Sequence, residues 1–237
     1  MKYPQNISGT CIVSLTFPND EKLRSRKVVT RSRARATGKY PSWKMGRMIQ
    51  WESINELNAY RLLDTDPSVI EFYEQPLKIS YVIDGTLRTH YPDTLVKWVN
   101  HQELWEIKSP KYAEKPDYLK RTQILEAALI EFGYNYRMIN AEGFLKQPRL
   151  NNSITLLKFG RHPISPLLEE KLRLTIKAKG SICWGAIVNG CMGKEGRQLV
   201  CRLFLEGRLH FDFEKKLVPE TNFVWVEDNQ KASPWNY

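Results

Sequence analysis

No apolar run in the 237-residue chain approaches the roughly 20 residues that a membrane-spanning helix requires. The opening residues, MKYPQNISGT, also lack the apolar stretch of a secretory signal. These absences predict a cytoplasmic protein with no membrane partner. Cysteine is scarce: Cys11, Cys183, Cys191 and Cys201 show no Cys-x-x-Cys spacing, and the four histidines do not cluster beside them. That argues against a zinc site and against a disulfide scaffold. Acidic residues are missing altogether between Lys22 and Arg47, where ten Lys or Arg residues equal the net charge of +10.

That basic excess predicts a polyanionic partner, with nucleic acid the commonest in a cell. The candidate phosphate contacts are Lys22, Arg24, Arg26, Lys27, Arg31, Arg33, Arg35, Lys39, Lys44 and Arg47. Gly38, Pro41 and Gly46 break the segment, and few apolar residues are there to anchor a helix. Residues 1–48 are therefore expected to form an extended basic arm along a DNA backbone, with Tyr40 and Trp43 available for contacts. A solvated tail is the alternative. The run Cys11 to Phe17 suits an edge strand or part of the arm. With 42% hydrophobic and 26% charged residues, the rest of the chain has the composition of a packed core.

The stretch RTHYPDTLVKWVNHQELWEIKSP, Arg88 to Pro110, carries the candidate chemistry. Thr94 to Val99 and Leu104 to Lys108 flank the polar turn Asn100-His101-Gln102 and predict an antiparallel hairpin. Pro92-Asp93 opens the first strand. On the second, Glu106 and Lys108 share one face while Ile107 points into the core. Pro-Asp followed by Glu-x-Lys is the pattern of metal-dependent nucleases of the restriction-endonuclease type. Phosphodiester cleavage calls for a hard cation that offsets developing charge and lowers the pKa of an attacking water. Mg²⁺ takes oxygen ligands and keeps several waters, so two or three carboxylates suffice; Mn²⁺ is a possible substitute. A neighbouring lysine can orient the water or steady the transition state.

Around this hairpin, residues 49–145 are expected to form one domain. Ile54, Leu57, Tyr60 and Leu63 predict a helix from Ile49 to Leu63, packed behind the hairpin, with Glu52 and Glu56 on one face. Asp64, Asp66 and Pro67 end it. Val69 to Glu74 leads into a strand from Leu77 to Ile83, and Asp84-Gly85 turns it into Leu87 to His90. Lys111 to Pro116 suits a charged loop. A helix from Asp117 to Phe132, stopped by Gly133, connects to a strand from Tyr134 to Ile139 in parallel register. The predicted fold is α/β, a mixed sheet with helices against it.

After a transitional stretch holding a short helix, Asn151 to Phe159, residues 165–237 are expected to form a second domain. Ser165-Pro166 starts a helix carrying Leu167, Leu168, Leu172 and Ile176 that ends at Gly180. Ser181 to Val188 suits another helix. Leu199 to Leu205 and Leu209 to Phe213 suit a hairpin about Glu206-Gly207. Helices followed by a hairpin suggest a winged-helix-like module. Its aromatic tail, Phe223, Trp225, Trp235 and Tyr237, suits either docking on a partner or packing on its own domain.

Four segments in order, Ser53-Ile54-Asn55-Glu56, Glu74-Gln75-Pro76, Tyr91-Pro92-Asp93 and Glu106-Ile107-Lys108, resemble the catalytic domain of the TnsA family over about residues 45–140. These are endonuclease subunits of heteromeric cut-and-paste transposases. The resemblance implies a restriction-endonuclease-like core with Glu56, Asp93, Glu106 and Lys108 catalytic. It implies Mg²⁺ held by Asp93, Glu106, the Ile107 carbonyl and Glu56. Some members carry Gln where this chain has Glu106, and an alignment shifted by one turn would exchange Glu56 with Glu52. It also implies nicking at the 5′ ends of a transposon on double-stranded DNA. The implied partners are an integrase-type (TnsB-like) subunit and an AAA+ (TnsC-like) ATPase. A stand-alone restriction or repair nuclease and a non-catalytic DNA-binding adaptor are the alternatives.

Overall fold

The computed structural model describes residues 10–19, 23–26 and 36–226. The chain divides into two compact units: Met1–Leu57 with Ile70–Gly143, and Asn58–Val69 with Phe144–Tyr237. The class is mixed α/β, consistent with a restriction-endonuclease-like core. Among the described residues no helix is long and apolar enough to cross a membrane.

In the first unit, β1 (Thr10–Thr16) pairs antiparallel as an edge strand with β5 (Lys78–Ile83), which pairs with β6 (Thr86–His90). The β5–β6 turn is Asp84-Gly85 with φ of 49° and 70°, the doubly positive geometry that suits a two-residue hairpin. A second sheet has the order β4 (Val69–Glu74), β7 (Thr94–Trp98), β8 (Gln102–Lys108), β9 (Asn135–Asn140). β7 and β8 form the expected antiparallel hairpin, Thr94 opposite Trp105. β9 lies parallel to β8, Glu106 opposite Met138. The crossover between them contains α2 (Pro110–Ala113), in place of the expected charged loop, and then α3 (Pro116–Leu129). Ile12, Leu77, Ile79, Tyr81, Leu95, Leu104, Leu125, Leu129 and Tyr136 form one buried cluster joining these elements.

Two expectations for this unit are corrected. The described end of the basic segment is no extended arm: β2 (Gly38–Ser42) and β3 (Arg47–Trp51) form an antiparallel hairpin. Tyr40 is buried in it, so its ring is not available to DNA. Ile49 to Trp51 belongs to β3, and helix α1 runs from Ile54 to Thr65. Ile54 is exposed; the buried face is Ala59, Tyr60, Leu62 and Leu63.

In the second unit, the Thr65 and Ser153 hydroxyls hydrogen-bond at 2.9 Å, linking α1 to α4 (Arg149–Gly160). Then follow α5 (Pro166–Lys179), β10 (Ile182–Cys183), α6 (Trp184–Val188), α7 (Gly196–Leu205), β11 (Leu209–His210) and β12 (Asn222–Trp225). The three strands make a small sheet ordered β10-β12-β11. On α5, Leu172 and Ile176 are buried while Leu167 is exposed.

Leu199 to Leu205 is helix, not strand. Six of the seven residues are buried, and the polar stripe Gln198, Arg202, Glu206 that marks the helical period shows only when the flanking residues are read with them. Gly207 is the helix stop and not a hairpin turn. At φ 73° its N–H donates to the Phe204 carbonyl, and Arg208 N–H donates to Leu203, the Schellman pattern. The expected helix from Ser181 likewise begins as β10 and turns helical only at Trp184. A Cβ on Gly160 would lie 2.7 Å from Leu205 Cδ1, so glycine sets how closely α4 meets α7. Phe223 is buried in a cluster with Trp184, Phe211, Phe213 and Phe204. Trp225 stacks under Arg208, while Trp235 and Tyr237 lie outside the described residues.

Candidate active site

Three backbone devices gather the candidate side chains. Asp93 opens β7, its N–H donating to the Trp105 carbonyl at 2.9 Å and its carbonyl accepting the Gln75 N–H at 3.0 Å. From β8, the Ile107 N–H donates to Asp93 Oδ2 at 2.7 Å. Glu106 and Lys108 flank Ile107, and Lys108 Nζ lies 3.0 Å from Glu106 Oε1 and 3.4 Å from Asp93 Oδ2.

The third device is the start of α1. Ser53 Oγ accepts the Glu56 N–H at 3.2 Å. The Glu56 carboxylate reaches back to accept the Glu52 N–H at 2.9 Å and the Ser53 hydroxyl at 3.0 Å. This is a capping-box variant, legible as Ser-x-x-Glu but closed on the N–H one residue before the cap, and it fixes Glu56 at the helix mouth. Glu52 precedes the helix, is partly exposed and pairs with Arg26, so the two acids share no helical face.

Glu56, Asp93, Glu106, Ile107 and Lys108 line one cleft of about 710 Å³, together with Arg26, Glu52, His90, Tyr112, Tyr118 and Arg121. Burial, then the neighbouring Asp93 charge, raises the Glu56 pKa to about 7. Burial and the Glu106 charge raise Asp93 to about 7, against the pull of Lys108 and the Ile107 N–H. Burial pushes the Lys108 ammonium down, but Asp93 and Glu106 push harder and leave it above its ordinary range. His90 is held well below its ordinary value by burial and by the Arg121, Lys108 and Arg26 charges. Its neutral ring places Nε2 2.9 Å from the Tyr136 hydroxyl and 3.4 Å from Glu106 Oε2. That oxygen is buried with no hydrogen-bond partner. Glu106 Oε1, by contrast, receives Arg121 Nη2 at 2.9 Å as well as Lys108.

A hairpin that sets an Asp against a Glu-x-Lys strand, over a cleft closed by a helix-cap carboxylate, is the geometry the four sequence motifs imply. Residues 66–141 match the family model described as TnsA-like endonuclease N terminal. The chain carries a TnsA-like endonuclease domain. No curated protein matches it. Asp93, Glu106 and Lys108 lie inside the TnsA-like match; Glu56 lies outside it and joins the cleft through the fold.

Among the described residues, no three His, Cys, Asp or Glu side chains are set to hold a metal ion as they stand. Lys108 and Arg121 both meet Glu106 Oε1, and the Lys108 ammonium lies between that oxygen and Asp93 Oδ2.

The ten basic residues divide in three ways. Lys22, Lys27, Arg31, Arg33 and Arg35 lie outside the described residues. Arg24 and Arg47 both pair with buried Glu74, Arg47 bidentately at 2.9 and 2.7 Å, and Arg26 pairs with Glu52. Lys39 is exposed, and Lys44 is half-buried. Sequence reasoning missed Glu74 as the anchor of this segment, and missed Arg121, His90 and Tyr136 around Glu106. None of the four sits in a pattern whose spacing signals its partner.

Proposed function

We propose that this chain is the DNA-cleaving subunit of a transposase, nicking the 5′ ends of a transposon while an integrase-type partner acts on the 3′ ends. The observation that carries the reading is the convergence of Glu56, Asp93, Glu106 and Lys108 in one cleft of a TnsA-like domain. The donor set suits Mg²⁺ or Mn²⁺: its candidates are carboxylate and carbonyl oxygens, which are hard ligands. One buried Glu106 oxygen lacks a partner. Two of the three carboxyls are driven toward neutrality by burial and mutual repulsion, which a cation would relieve. Asp93, Glu106, the Ile107 carbonyl and Glu56 would hold the ion. Bound there, it supplies a more acidic water and offsets charge on the phosphate.

The chain's own groups do the rest. The Ile107 N–H fixes the Asp93 carboxylate, and the capping box fixes Glu56. Lys108 stays protonated and can hold an attacking water or an anionic phosphate oxygen. The order α5-β10-α6-α7-β11-β12 supports a winged-helix-like reading of the second unit. In that order α7 is largely buried, which favours a protein partner over groove reading for that helix. Phosphate contacts from the basic segment carry little sequence information, so specificity is assigned to the integrase-type partner, with an AAA+ ATPase as regulator.

The test is strand-specific cleavage of transposon-end DNA in Mg²⁺. We expect weak cutting by the purified protein and 5′-strand nicking once the integrase-type subunit is added. Efficient sequence-specific double-strand cutting by this protein alone would establish the restriction-type alternative. No cutting under either condition, with DNA binding intact, would leave the adaptor reading.

A further inference from the structure

Arg121 projects from α3 into the cleft with more donor capacity than its protein partners use. Its Nη2 meets Glu106 Oε1 at 2.9 Å, an oxygen that Lys108 Nζ already approaches at 3.0 Å. Its Nε is buried without a hydrogen-bond partner. The guanidinium lies 4.8 Å from the centre of the Tyr118 ring, a shelf that holds its plane independently of Glu106. The side chain is 20% exposed, and the cleft is where its surface opens.

Charge points the same way. With Glu56, Asp93 and Glu106 ionised, Lys108 and Arg121 leave one negative charge uncompensated. A divalent cation among the carboxylates converts this to one positive charge, which suits a phosphodiester anion. Without Arg121 the same site would be neutral and would gain nothing from an anionic substrate. A cation that takes Glu106 also competes with Arg121 for that carboxylate. The planar fork is then released beside the ligand whose oxygens it fits best.

We propose that Arg121 is a catalytic residue that exchanges Glu106 for a non-bridging oxygen of the DNA phosphate in the cleft. This rests on the nuclease reading of the site. A purely structural Arg121 would hold Glu106 and touch no DNA, and salt dependence separates the two. Duplex transposon-end DNA is bound to wild-type protein, Arg121→Ala, Arg121→Lys and Asp93→Ala in Ca²⁺, a divalent cation for the same oxygen ligands, across a salt series, and cleavage is followed separately with the integrase-type subunit and Mg²⁺. Loss of one phosphate contact makes the log–log slope shallower by about 0.9.

The expected result is that change in Arg121→Ala, with single-turnover cleavage reduced by about 10²- to 10³-fold. Arg121→Lys should keep the slope and recover part of the rate. If Arg121→Ala lowers the unfolding temperature, Arg121→Gln, which is neutral and keeps part of the stem and an amide donor group, replaces it. A wild-type slope in the neutral variants would overturn the proposal and reduce Arg121 to a support for Glu106. Asp93→Ala reports on the site itself: loss of cleavage with retained binding keeps the nuclease reading whatever Arg121 does, and undiminished cleavage removes that reading.

Discussion

The Ile107 N–H donates to Asp93 Oδ2 at 2.7 Å, so the backbone of the Glu-x-Lys strand itself holds the Pro-Asp carboxylate. The two motifs are therefore one mechanical unit, and substitution at Asp93 has both a chemical and a structural consequence. Asp93→Ala should reduce Mg²⁺-dependent cleavage to background. It also leaves a buried N–H unpaired, at a cost of about 1–3 kcal/mol, a fall of several degrees in unfolding temperature. Asp93→Asn retains an acceptor and should keep the fold while losing cleavage. Cleavage assays paired with thermal melts check this; an active Asp93→Ala protein would move the nuclease centre elsewhere.

The helix cap gives a ranking. Glu56→Gln should lower cleavage far more than Glu52→Gln, because Glu56 is buried beside Asp93 whereas Glu52 is partly exposed and pairs with Arg26. Ser53→Ala removes the cap and should cost about 1 kcal/mol, with a partial loss of activity as Glu56 loses its anchor. The reverse ranking of the two glutamates would show that Glu52 is the working acid.

Metal-free stability should depend on pH through Glu56 and Asp93, both raised to about 7. A carboxyl whose folded pKa is raised keeps its proton longer in the native state. Its stabilisation is complete below the ordinary carboxylate range and is lost as pH rises through about 7. In EDTA, wild-type protein should therefore lose stability from pH 5 to 8 relative to a Glu56→Gln, Asp93→Asn double variant, whose profile is flatter. Mg²⁺ should raise the wild-type melting temperature more at pH 8 than at pH 5. Parallel profiles in calorimetry would refute this.

The basic residues should separate into two classes. Arg47→Ala strips a bidentate partner from Glu74, whose side chain is 1% exposed, and should cost about 3 kcal/mol of stability. Neutralising Arg31, Arg33 and Arg35 should leave the melt unchanged and make the salt slope of DNA binding shallower by up to roughly 3. An unchanged slope would mean these three touch no phosphate.

The sequence alone determined the parts whose information is local. Alternation and a polar turn specify the β7–β8 hairpin, and with it the placement of Asp93, Glu106 and Lys108 at one end of two neighbouring strands. Asp84-Gly85 specifies the β5–β6 turn because both positions need positive φ. Gly133, also at positive φ, marks the end of the segment that follows α3. Each depends on residues within a few positions of one another.

Tertiary structure decided what depends on distant partners. Glu56 meets the Asp93 field only because the chain returns between them. Arg121 finds Glu106 across a strand–helix crossover, and Arg24 and Arg47 find Glu74 where composition alone predicts a free arm. The segment Leu199 to Leu205 has only Arg202 outside the core, so its helical period is legible only together with Gln198 and Glu206 on the same face. Charge attraction and burial act through space, and spacing along the chain records them only when the partners are neighbours in sequence.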